Sequence, residues 1–332
     1  MRIFHDLRAN MVKLTQLSQR SILYFFISIV VLWSAADQVC ADDKVIASCT
    51  DSETAFDYRL CVEKNISTEP FVMIPYKPNY FIGSYVADIE ETHSEYDDFE
   101  AKFQLSFKIP VSDYQKPSRC FWIDGTECVA FFGYTQLSVW QMVNFDQSAP
   151  FRDTNFEPEL IIAQLFNKNL VAGWKLRLIN YGVFNHQSNG NVPPNSRSWN
   201  RSYLDFVFEK NNSYITFKAW KRWPEDAKKT PTEFHGDDNE NIEDYAGNFE
   251  LKLLHVGKSV NYSLELRDSN EHSNKMNIQF NWSMPVKEIA LFSTARDLRF
   301  YIQYFKGYGE TLIDYNVERE RLGFGVMLTD WL

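Results

Sequence analysis

Along most of this chain apolar and polar residues alternate one for one. A strand presents successive side chains to opposite faces, so such runs read as strands with one apolar face and one polar face. They recur at 80–90, 99–111, 127–143, 157–166, 172–188, 198–210, 212–223, 242–256, 258–269, 275–286, 297–308 and 321–332. Most have about the ten residues that a tilted membrane-crossing strand needs, and their number is even. The connections sort by side as well. Those at 144–156, 189–197, 224–241 and 309–320 are mostly long and polar, whereas Asn211, Gly257 and 167–171 mark short links. Long loops at one end and tight turns at the other are the pattern of an outer-membrane barrel. The pattern therefore predicts an all-β fold, a twelve-stranded antiparallel transmembrane β-barrel over residues 80–332. The 112–126 connection breaks it, being long on the short-turn side. The last run sets Leu322, Phe324, Val326, Leu328 and Leu332 on one face, as a closing strand should, with Trp331 one place short of the end.

The ends and the composition refine this picture. Arg2, Arg8, Lys13 and Arg20 precede an apolar stretch at 22–35, and Val39-Cys40-Ala41 fits a small-residue cleavage site. Residues 1–41 thus read as a secretory signal peptide, and 42–79 as a short N-terminal periplasmic extension. Beyond the signal no apolar stretch approaches 20 residues, so no helical span is expected. Aromatic residues make up 16% of the chain, which suits a wall where only alternate positions meet lipid. A net charge of −10 gives no support for nucleic-acid binding, which needs a basic footprint. Cysteines at 49, 61, 120 and 128 suggest two local disulfides, Cys49–Cys61 and Cys120–Cys128, in an oxidising envelope. Metal binding is the lesser reading, because neither pair has CxxC spacing and no histidine adjoins them. The acidic stretch 237–244 reads as a solvated external loop.

Candidate chemistry concentrates in residues 180–203, NYGVFNHQSNGNVPPNSRSWNRSY. On the run 172–188 the even positions include Trp174, Leu176, Leu178, Asn180, Phe184, His186 and Ser188, and the odd ones Lys175, Arg177, Asn185 and Gln187. The apolar even set should meet lipid, which carries His186 and Ser188 to the outside. On the next run Leu204, Phe206 and Phe208 are even while Arg201, Asp205 and Glu209 are odd, so Asn200 also faces outward. A hairpin symmetric about Pro193 would set His186 opposite Asn200, and directly opposed residues have Cβ atoms about 4.5–5.5 Å apart. Polar groups gathered on an apolar wall are costly unless paired, and are functional candidates by default. Triad logic assigns Ser188 as nucleophile, His186 as general base then acid, and Asn200 as the group that holds the ring. Asparagine does this without setting a negative charge against hydrocarbon. Gly190 can offer a backbone N–H to the oxyanion. A hard cation could assist, held by carbonyls and hydroxyls of the 189–197 loop; that loop has no carboxylate, so a site made from it alone should be weak.

At these residues the chain resembles the outer membrane phospholipase A family. The resemblance rests on H-x-S-N-G at 186–190 followed by SRSWNR at 196–201, with YTQ at 134–136, SAPFRDTNFEPEL at 148–160, AGW at 172–174 and GYGETLIDYN at 307–316. It implies a calcium-dependent hydrolase of sn-1 and sn-2 acyl esters in membrane phospholipids and lysophospholipids, active as a homodimer in the bacterial outer membrane. Carried over by position, His186, Ser188 and Asn200 would be catalytic. The carbonyl of Asn191 and the hydroxyl of Ser196 would bind Ca2+, joined by the carbonyl of Ser148 from a second subunit. Gln136 would lie in the dimer interface. Pro193 stands where the family has an acidic residue linked to a second calcium position, so the resemblance does not extend to that site. Arg152, Asp153 and Asn155 are expected to knit an external loop, and Gly307, Tyr308 and Gly309 to pack a strand end. The competing expectation is a passive barrel, a small pore or adhesion scaffold without hydrolytic activity, which lumen charges such as Lys175, Arg177, Asp205 and Glu209 disfavour.

Overall fold

In the last strand inward and outward residues alternate without a fault: Arg319, Arg321, Gly323, Gly325 and Met327 are buried, while Phe324 and Leu328 are exposed. In the computed structural model, which describes residues 48–69, 72–87, 95–120, 126–230, 232–268, 275–288 and 298–330, this strand pairs with the first and closes a barrel. Segment 1–41 and the terminal Trp331 and Leu332 lie outside the described residues. The staves are β1 (Asn79–Val86), β2 (Phe99–Pro110), β3 (Glu127–Trp140), β4 (Phe151–Asn169), β5 (Lys175–Ser188), β6 (Ser198–Lys210), β7 (Ser213–Arg222), β8 (Phe249–Val256), β9 (Asn261–Asp268), β10 (Asn277–Pro285), β11 (Arg299–Gly307) and β12 (Arg319–Thr329). Each pairs antiparallel with its neighbours in chain order, so the protein is a closed twelve-stranded β-barrel with no free sheet edge.

Two predicted boundaries fail for a visible reason. Residues 151–156, expected in a loop, begin β4, because Arg152, Asp153 and Asn155 turn inward as strand residues. Arg152 pairs with Glu100 at 2.8 Å and with Asp314, while Asp153 and Asn155 accept the N–H groups of Ile313 and Leu312. Residues 242–248, expected in a strand, form instead a short helix α2 (Glu243–Ala246) folded over the barrel mouth. Its flank Ile242 packs with Trp199, Leu312 and Tyr315 into an apolar lid.

The other mouth is closed by helix α1 (Ala55–Ile66), which lies in the predicted extension. Thr54 caps it by accepting the Asp57 N–H at 3.2 Å. Phe56 enters a cluster with Val207, Tyr214 and Leu254, and Asp57 pairs with Arg177. Glu63 pairs with Lys108 at 2.8 Å. Burial raises the Glu63 carboxyl, but Lys108 and Arg59 outweigh it and hold it below the ordinary value. The disulfide Cys49–Cys61 staples the helix, and Cys120–Cys128 ties down the anomalous 111–126 connection. Between the two caps lies a polar cavity of about 270 Å³, bordered by Lys77, Glu157, Arg201 and Lys218 among others. Among the described residues, helices fold over both mouths and ion pairs cross the interior, an arrangement that disfavours an open pore.

Candidate active site

The β5–β6 hairpin is symmetric about Pro193: His186 opposes Asn200 and Ser188 opposes Ser198. The inward partners fix its orientation. Gln187 and Trp199 border the interior cavity, Trp199 Nε1 donates to Gln187 Oε1 at 2.8 Å, and Arg201 Nε donates to Asn185 Oδ1 at 2.9 Å. Asn185 in turn donates to Glu157 at 2.8 Å. With Asn185, Gln187, Trp199 and Arg201 inside, the alternation sends His186, Ser188 and Asn200 to the outer wall.

The route to that face differs from simple alternation. Asn180 borders the cavity and donates to Asp205, and Leu178 packs among interior residues, so even positions in the middle of β5 point inward. Two bulges account for this, one at Arg177 and one at Val183–Phe184, where the pairing with β6 slips. Each extra residue reverses the parity, and the second restores what the first reversed. Below the second bulge Gly182 leaves room for the Tyr203 ring, where a Cβ would come within 2.1 Å of it.

His186 Nδ1 lies 2.9 Å from Asn200 Oδ1. An amide oxygen only accepts, so in this arrangement Nδ1–H is the donor, and in the neutral ring the lone pair then falls to Nε2. Ser188 is two residues along the same face. Neither its Oγ nor His186 Nε2 has a hydrogen-bond partner among the described residues, and unliganded catalytic hydrogen bonds commonly tighten only with substrate in place. Gly190, at φ +67°, turns the chain over the Phe156 ring, and its N–H is accepted by no protein group among the described residues.

The 223–248 connection supplies residues that local sequence gave no hint of. Asn200 Nδ2 donates to Glu225 Oε1 at 3.4 Å, Ser196 Oγ donates to Asp238 Oδ2 at 2.6 Å, and the Ser198 N–H donates to Asn239 at 3.2 Å. The acidic stretch at 237–244 is therefore not merely solvated: Asp237 pairs with Arg222 and Asp238 with Lys228. Burial, then Asp237, push the Glu225 carboxyl above its ordinary value, against Arg222 and the Asn200 amide. Only the pairing of residues remote in sequence could have revealed these partners.

Of the expected cation donors, Asn191 is exposed and its carbonyl has no partner among the described residues, while the Ser196 hydroxyl is oriented by Asp238. A carbonyl and a hydroxyl backed by a carboxylate are oxygen donors of the kind calcium takes, yet too few to complete a shell of six to eight. Ser148 sits exposed in the 141–150 connection at φ 59°, far from them in sequence. Gln136 lies on the wall of β3 and donates to Ser138 Oγ at 3.2 Å.

A closed barrel with an apolar wall, helices over its mouths and an oriented imidazole at one rim is an integral outer-membrane enzyme in its class. Comparison with known proteins then gives the family. The family model described as Phospholipase A1 matches residues 56–328, and the chain belongs to that family. It is 35% identical over 274 residues to Phospholipase A1 of Escherichia coli (strain K12), covering 79% of this chain and 83% of that one. The structure of outer membrane phospholipase A from Escherichia coli matches with a TM-score of 0.66 at 31% identity, covering 87% of this chain and 98% of that one. The Salmonella typhi outer membrane phospholipase, described as a dimer with bound calcium, matches with a TM-score of 0.66 at 33% identity, over 81% and 97%. This protein is an outer-membrane phospholipase.

Proposed function

We propose that the enzyme cleaves sn-1 and sn-2 acyl esters of phospholipids and lysophospholipids with Ser188, His186 and Asn200, with calcium, and as a homodimer. The observation that carries this reading is the His186–Asn200 pair on the outer wall, with Ser188 next along the same face. Ser188 Oγ attacks the ester carbonyl while His186 Nε2 takes its proton, and Asn200 steadies the ring as it gains charge. The Gly190 N–H receives the oxyanion of the tetrahedral intermediate. Collapse breaks the ester bond, and His186 returns the proton to the departing glycerol oxygen. Water then enters by the same base and releases the fatty acid. An outward site meets its substrate in the bilayer without extracting it into the lumen.

The calcium reading is supported by the oxygen donors of Asn191 and Ser196, and by the calcium-bound dimer described for the Salmonella typhi protein. Bound by Asn191, Ser196 and Ser148 of the partner subunit, the ion would supply positive charge to the oxyanion. The set is incomplete within one chain, which is why a second copy would complete it, with Gln136 in the contact. The asparagine assignment is supported by an Escherichia coli structure described as an active-site mutant with asparagine replaced by alanine. The test is fatty-acid release from phospholipid by refolded protein with and without a chelator, alongside Ser188→Ala. Activity surviving in that variant would remove the proposed nucleophile.

A further inference from the structure

Asn200 can present either end of its amide to His186, and the two orientations have opposite consequences. With Oδ1 toward the ring, Nδ1 holds the proton and Nε2 is free to act as base. With Nδ2 toward the ring, Nδ1 must accept, the proton moves to Nε2, and the ring can no longer take a proton from Ser188. The amide alone selects weakly between them, because its two ends have nearly the same shape.

We propose that Glu225 makes that selection. Its carboxylate lies 3.4 Å from Asn200 Nδ2 on the side away from the ring. Ionised, it can only accept, so it favours Nδ2 facing outward and opposes a second acceptor, Oδ1, in that place. Glu225 is thus a positioning residue, acting on the imidazole through the amide, and this role rests on the triad reading above. The segment that carries it is pinned on both sides. The Trp223 N–H donates to the Asn200 carbonyl at 2.8 Å, extending the β6–β7 ladder past Arg222, and the Asp237 N–H donates to the Asp226 carbonyl at 2.7 Å. Trp223 Nε1 donates to Ser202 Oγ at 2.9 Å on the outer wall. The charged groups around Glu225 are Asp237, Asp238 and Arg222; the last is engaged with Asp237 at 2.6 Å, which leaves Glu225 to the amide.

The test compares Glu225→Gln with Glu225→Ala in refolded full-length protein, with Asn200→Ala and Ser188→Ala in parallel. A glutamine keeps the size and can still bond to the Asn200 amide, but it bonds to either end and so cannot select. Both Glu225 variants should therefore lose about tenfold in kcat with KM unchanged, roughly the worth of one hydrogen bond to a charged group. Imidazole 15N shifts of His186 should move from the Nδ1–H tautomer toward a mixture in Glu225→Gln. Adding Glu225→Gln to Asn200→Ala should cost nothing further. Full kcat in Glu225→Gln, with loss only in Glu225→Ala, would reduce Glu225 to a loop brace and overturn the proposal. Full kcat in both would also overturn it, with the triad intact if Asn200→Ala and Ser188→Ala are impaired. Activity retained in Ser188→Ala would instead sink the triad reading, and this inference with it.

Discussion

Among the described residues the outer wall carries two histidines paired across neighbouring strands, one at each rim, and they invite comparison. At the rim of the long 189–197 loop, His186 faces Asn200, and no serine is hydrogen-bonded to it among the described residues. At the opposite rim, beside the tight 211–212 turn, His255 faces Ser213 directly, with Ser213 Oγ 2.9 Å from His255 Nδ1. Their neighbours Tyr214 and Leu254 point inward, so this pair is also outward. Judged by serine–histidine distance alone, the second would be the better catalytic pair. It lacks everything else. The serine occupies Nδ1, the position an orienting group must hold, and Tyr262 merely stacks on the ring at 5.2 Å. No loop with a left-handed glycine follows Ser213 as Gly190 follows Ser188, and the fold beyond that rim is spent on α1 and its disulfide. What distinguishes a base from a bonded histidine is the control of its tautomer and the donors placed around it, more than its distance to a hydroxyl.

Variants at the two rims should therefore part sharply. Ser188→Ala should lower kcat by about 10⁴ or more, the usual size for a lost nucleophile, while Ser213→Ala keeps full activity in a fatty-acid release assay. Calcium removal should cost about 10²–10³ in kcat, comparable to losing an oxyanion contact, in the same assay run with a chelator. Asn200→Ala should cost about tenfold to a hundredfold, less than the nucleophile because the ring remains, and His255→Ala should cost nothing in the same assay. The smallest effect belongs to the α1 rim. The folded-state Glu63 carboxyl is held below 4.5 by Lys108 and Arg59, so its contribution to helix docking is full above that pH and fades as pH falls through the lowered value. Proteolysis of α1 should accelerate under such acid conditions and not at neutrality.

The same comparison marks what the sequence made legible. Strand count, closure and the opposition of His186 and Asn200 were all readable, because alternation and a short loop fix register once one face is apolar. Yet the parity argument on β5 was sound only at its two ends and failed between the bulges. Leu178 and Asn180 lie inside, where the alternation placed them outside, and the prediction for His186 survives because the bulges at Arg177 and Val183–Phe184 cancel. A bulge adds a residue without leaving a pattern in composition, so it could not be seen in advance. Asp238 and Glu225 were hidden for another reason. They stand 42 and 25 residues from the groups they touch, across a connection whose path depends on the pairs Arg222–Asp237 and Lys228–Asp238. The expected solvated loop is thereby a bracket on the site. Residues 307–309 kept their structural reading: a Cβ at Gly307 would strike Asn277.

The central claim, that the outward serine above the long loop and not the one below the tight turn is the nucleophile, can be tested by covalent capture. Refolded enzyme treated with a long-chain alkyl fluorophosphonate in the presence of calcium should carry one adduct, located by mass spectrometry on Ser188, and Ser188→Ala should take up none. An adduct on Ser213, or equal labelling of the Ser188→Ala protein, would contradict the account.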